Sequence, residues 1–83
     1  MDNDAVWQAL VEAVREETGD PDALVNSGMT ADDIPGWDSL AHVRIVMNME
    51  ARTGAEIDIS DTYKAATVDE LCAIVRKNIR PRG

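Results

Sequence analysis

The chain has a single cysteine, Cys72, among its 83 residues. It cannot form an internal disulfide, and a lone thiol fits a reducing compartment. No apolar run approaches membrane-spanning length, and the acidic start, Met1-Asp2-Asn3-Asp4, is unlike a signal peptide. Basic residues are few: 8 Lys and Arg against 16 Asp and Glu leave a net charge of −8. That balance argues against binding nucleic-acid phosphates, which requires excess cations. There is no internal repeat and no low-complexity tract. The carboxylates Asp20, Asp22, Asp32 and Asp33 share one stretch, but the glycine and distal glutamate of a calcium loop are absent, so no metal is expected. The expectation is a cytoplasmic monomer with no membrane and no nucleic-acid partner.

A chain of this length makes one domain, taken as 1–83 with 3–79 ordered and 80–83 a tail. It buries only roughly 60% of its unfolded surface, which leaves one modest core and no room for an elaborate enclosed active site. The charge is uneven: residues 1–33 carry −8, residues 34–75 carry −4, and residues 76–83 carry +4.

The most informative stretch is Asp32-Asp33-Ile34-Pro35-Gly36-Trp37-Asp38-Ser39-Leu40. Pro35 presets φ for the second position of a turn and Gly36 accepts positive φ at the third. Asp38 is a natural N-cap, and Ser39 falls at the first helical position. There its hydroxyl stands at the positive end of the helix dipole, where a phosphate would meet free backbone N–H groups. The helix that follows, to Thr53-Gly54, carries two apolar stripes, Leu40/Val43/Val46/Met47 and Ala41/Ile45/Met49. Two stripes imply neighbours on two sides, as for the central helix of a small bundle; a sharper reading leaves part of the Leu40/Val43/Met47 face for a partner.

Around this helix the pattern is all-α. Val6, Leu10 and Val14, with Trp7 and Val11 beside them, predict a helix over residues 3–18, capped by Asp2, Asn3 or Asp4 and ended by Gly19. Residues 19–37 form a long loop that Leu24, Val25, Met29 and Ile34 fold back onto the core. Glu56-Ile57-Asp58-Ile59 alternates but has no second strand to pair with, so extended chain is expected, followed by a short helical turn over 60–64. Thr67-x-x-Glu70 is a capping box, opening a helix whose stripe is Val68, Leu71, Cys72, Val75 and Ile79. Arg76, Lys77 and Arg80 complement its negative end. The predicted fold is a small four-helix bundle, three main helices plus one short one, with a long loop between helices 1 and 2.

Asp38-Ser39-Leu40 at a turn-to-helix junction resembles the attachment motif of the acyl carrier protein family. The context supports it: the serine lies near mid-chain, and its helix ends in Glu50-x-x-x-Gly54, followed by Glu56-Ile57 and Thr67-Val68. The likeness covers nearly the whole chain and is gap-free from Asp38 to about Val75. The resemblance implies that Ser39 carries covalent 4′-phosphopantetheine, whose thiol holds acyl groups as thioesters. It implies a phosphopantetheinyl transferase, an acyl-loading ligase or acyltransferase and downstream acyl-processing enzymes as partners, and no catalysis by the chain itself. The partner interface would comprise Asp38, Leu40, Ala41, Val43, Arg44, Met47, Glu50 and Ile57. Shelter for an acyl chain, if any, would lie between the central helix and residues 57–63.

Two other readings of Ser39 compete. An ordinary helix-start serine in an unmodified helical interaction module is one. A hydrolase nucleophile is the other, prompted by His42 one turn on, but Asp38 is poorly placed to orient His42 and the Gly-x-Ser-x-Gly elbow is absent. His42 is expected at the surface beside the arm. Carriers of fatty-acid synthesis usually bear carboxylates where this chain has Ala41 and Arg44, although Glu50 keeps its acid. Gly36-Trp37 only partly matches a peptidyl or aminoacyl carrier, which stays the alternative. The form Gly-Trp-Asp-Ser-Leu-Ala-His is similar to discrete carriers of specialised acyl or polyketide pathways.

Overall fold

The computed structural model describes residues 3–79. Of the expected caps of the first helix, Asn3 and Asp4 fall within the helix itself, and Asp2, the contribution of Arg80 and the tail at 81–83 lie outside the described residues. Four α-helices run in order: α1 (Asn3–Thr18), α2 (Ser39–Thr53), α3 (Ile59–Thr62) and α4 (Val68–Lys77). A 3₁₀ turn, Ala31–Asp33, interrupts the connection between α1 and α2. No strand occurs among the described residues; one isolated antiparallel bridge pairs Ala55 with Ile79.

Local signals set the helix ends. Gly19 and Gly54 take left-handed φ of 74° and 77° after α1 and α2, where a side chain would be strained. Thr67 and Glu70 form the reciprocal capping box of α4, the Thr67 hydroxyl accepting from the Glu70 amide at 3.2 Å and the Glu70 carboxylate from the Thr67 amide at 3.0 Å. Asp58 caps α3 by accepting from the Ser60 amide at 3.0 Å. α3 starts one residue earlier than expected and is only four residues long.

The core is built on α1, whose Val6, Leu10, Ala13 and Val14 are fully buried; α2 and α4 pack on it, and α3 packs on α4. α2 contributes Ala41, Ile45, Val46 and Met49, and α4 contributes Val68, Leu71, Cys72 and Val75. The two stripes of α2 therefore do not share one fate. The Ala41/Ile45/Met49 stripe is buried with Val46, whereas Leu40 and Met47 are 59% and 61% exposed. The C-terminal half of α2 is tied to α1 at the surface, where Arg52 pairs with Glu12 at 2.8 Å and with Glu16, and Asn48 donates to Glu17 at 2.9 Å. Ion pairs this exposed contribute at most about 1 kcal/mol each.

Two expectations need correction. Leu24 does not fold back: it is 74% exposed, and Ala23 is buried in its place. The Ala23 amide donates to Asp20 O and its carbonyl accepts from Arg15 Nε at 3.1 Å, a turn that points Ala23 inward and its neighbour out. Ile79 does not extend the α4 stripe, because α4 stops at Lys77 and Asn78 leaves helical geometry. Ile79 packs against the core from the bridge with Ala55, beside a 3.1 Å bond from the Glu56 amide to Asn78 O.

Candidate functional site

The approach to α2 is a tight turn. Ile34 is buried, Pro35 follows, Gly36 takes φ 88°, and the Trp37 amide closes the turn on Ile34 O at 3.2 Å. A Cβ on Gly36 would meet Thr18 Cβ at 3.2 Å and Thr18 O at 3.3 Å, so the turn is held against the end of α1 by a close approach that only glycine allows. Asp38 is extended, and its carboxylate accepts from the Ala41 amide at 2.8 Å, while its carbonyl accepts from His42 N at 2.9 Å. Ser39 is the first helical residue and is exposed. Among the described residues nothing bonds its hydroxyl, and nothing accepts from the Ser39 and Leu40 amides. A nucleophilic oxygen thus stands in solvent beside two free N–H groups at the positive end of a helix.

His42 does not lie free beside this serine. It is half-buried, and its Nδ1 accepts from Trp37 Nε1–H at 3.1 Å. The indole can only donate, so Nδ1 carries no proton and Nε2 carries it. Nε2–H points to Thr62 Oγ1 at 2.7 Å, and the Thr62 hydroxyl in turn donates to Ile59 O at 2.6 Å. The Tyr63 ring stacks on the imidazole with centroids 4.6 Å apart. Burial pushes the imidazole pKa below its ordinary value, in the direction that keeps it neutral. With both ring nitrogens engaged elsewhere, His42 is not placed to activate Ser39. This bar joins the turn before α2, through Trp37, to α2 itself and to α3. Sequence reading missed it because Trp37, His42 and Thr62 share no local periodicity, and His42 and Thr62 are 20 residues apart.

The other expected site residues divide. Asp38, Leu40, Arg44 and Met47 are exposed along the outer face of α2, and Val43 is half-buried. Ala41, expected at a partner surface, is 5% exposed and belongs to the core, because the face opposite Leu40 is the one that meets the rest of the bundle. Glu50 is engaged within the fold, where its carboxylate accepts from the Ile57 amide at 3.0 Å and braces the chain after α2. Ile57 packs partly buried against the core. Cys72 is fully buried, and that burial raises its thiol pKa. No group of His, Cys, Asp and Glu converges on a metal position among the described residues, and no described helix is long and apolar enough to cross a membrane.

The arrangement defines a class of site: a serine presented on a helix start, with neither a base nor an enclosing cleft around it among the described residues. A family model described as the phosphopantetheine attachment site matches residues 8–75, and the chain belongs to that family. Comparison with curated proteins and with solved structures gives no match. The covalently attached group of the family is 4′-phosphopantetheine, and its domains are in general substrates of phosphopantetheinyl transferases and acyl-processing enzymes.

Proposed function

We propose that the protein is an acyl carrier whose Ser39 bears 4′-phosphopantetheine and which passes acyl thioesters between the enzymes of a specialised acyl or polyketide pathway. The observation that carries this reading is the exposed, unbonded Ser39 hydroxyl within the matched family region. The residues fit the arm: a phosphodiester on Ser39 Oγ would sit within reach of the unpaired first-turn amides of α2. The arm supplies a thiol that holds an acyl group as a thioester. Asp38 keeps the first turn wound through its bond to the Ala41 amide, so Ser39 is offered in one orientation. Gly36 fixes the turn against Thr18 and sets the direction of approach.

Partner enzymes would read the outer face of α2 around Asp38, Leu40, Val43, Arg44 and Met47. The face carries one cation, Arg44, in its middle. Steering toward basic enzyme patches is weaker than for a face carrying acids there, which favours a specialised pathway over housekeeping fatty-acid synthesis. The chain would perform no chemistry of its own and would act as a cytoplasmic monomer.

The test is intact-mass spectrometry after incubation with coenzyme A, magnesium and a promiscuous phosphopantetheinyl transferase, with Ser39→Ala alongside. Gain of one phosphopantetheinyl group on the wild type alone is expected. No gain with several transferases would leave an unmodified helical interaction module as the better reading.

A further inference from the structure

Resting on the carrier reading, we infer that the cargo is a short acyl group held outside the bundle, because the way from Ser39 into the space between α2 and α3 is barred by the Trp37–His42–Thr62 hydrogen-bond chain. The cavity that the bar residues Trp37, His42 and Thr62 help to line, together with Ala31, Val68 and Leu71, measures about 30 Å³. That is water-sized, against the roughly 300–1,000 Å³ of a site that encloses a small molecule. Two larger hollows among the described residues, of about 300 Å³ and 380 Å³, are surface grooves open to solvent, one bordered by Asp61, Lys64, Ile74 and Lys77 and the other by Glu17, Arg44, Met47 and Ala51, and neither encloses an alkyl chain.

Opening the bar would be costly. The Thr62 side chain is 1% exposed and has its two partners, His42 Nε2 and Ile59 O, at 2.7 and 2.6 Å. An alkyl chain pushed between them would strand a buried hydroxyl and separate the indole N–H from its acceptor, and an alkyl chain cannot replace either bond. Tyr63, stacked on the far face of the imidazole, would have to move as well. A long alkyl chain would therefore stay in water on the end of the arm, each methylene at a cost. A short acyl group loses nothing by staying there.

The full chain is loaded from acetyl-, butyryl- and octanoyl-coenzyme A by a promiscuous phosphopantetheinyl transferase, and loading is verified by intact mass. Thioester cleavage by hydroxylamine and amide exchange of α2, α3 and α4 are then followed. The expected result is equal exchange for the three species, with the octanoyl thioester cleaved as fast as octanoyl-pantetheine free in solution. Slower cleavage of the octanoyl form, together with slower core exchange than in the acetyl form, overturns the inference and leaves the carrier role intact. Absence of any mass gain overturns the carrier role and the inference with it. A double variant, His42→Leu with Thr62→Val, replaces the bar by apolar groups and is expected to gain octanoyl protection. A folded variant without that gain shows that the bar is not what closes the space, and the wild-type comparison stands whether or not the variant folds.

Discussion

At the start of α4, the Val68 amide donates to Met29 O at 2.8 Å, the Asp69 amide to Ser27 O at 3.1 Å, and the Glu70 amide to the Thr67 hydroxyl. At the start of α2, Asp38 likewise takes one amide, that of Ala41, but the two before it face solvent unpaired. Both helices announce themselves with a capping residue, yet the long connection between α1 and α2 closes one start and leaves the other open. A helix start sealed by backbone carbonyls has no donors left for an anion. The difference leaves two free N–H groups beside Ser39 at α2 and makes a structural joint at α4, and it is made by a loop that belongs to neither helix.

The closed start depends on the loop being seated by Ile34, so Ile34→Ala should have the largest effect, a loss of about 2–5 kcal/mol in denaturant unfolding. Amide exchange at Val68 and Asp69 should accelerate with it; unchanged exchange there would mean that the loop does not depend on Ile34. Gly36→Ala should cost about 1–2 kcal/mol, since its φ of 88° is left-handed and Thr18 crowds the new methyl. Removing the caps sharpens the comparison. Thr67→Ala and Asp38→Ala should each lose about 1 kcal/mol, but only Asp38→Ala should also slow arm transfer to Ser39. Equal transfer rates would show that winding of the first turn is irrelevant to the transferase.

A smaller effect follows from His42. Its pKa is depressed in the folded chain, so the unfolded chain binds the proton first as pH falls below about 6.5. This contribution to stability is present above that value and is lost as pH drops through the depressed folded value. The urea midpoint should fall between about pH 7 and about pH 5 more in the wild type than in His42→Gln. Smallest of all, Leu40→Ala on the open face should change stability by no more than about 0.5 kcal/mol, whatever it does to partner enzymes.

Much of this was legible along the chain. The bounds of α1 and α2, the caps Asp38 and Thr67, the positive φ at Gly36 and Gly54, and the exposure of Ser39 all follow from residues within a turn of one another. Short-range rules apply there without knowledge of neighbours. The inward turn of Ala23 rather than Leu24, and the end of α4 short of Ile79, were not legible. Each depends on a partner from elsewhere, Arg15 for the first and Ala55 for the second.

The sequence by itself determined that the chain is helical, where its main helices start, and that a serine opens the central one. Only the tertiary structure decided which stripe of α2 is covered, so that Ala41 is core and Leu40 is surface. Only it brought His42 to Thr62 and Trp37, turning an apparent surface histidine into a neutral link between α2 and α3. The physical reason is the range of the interactions. Capping and backbone preference act over a few residues and can be read in order, whereas burial and side-chain hydrogen bonds across 20 residues or more exist only once the chain has closed on itself.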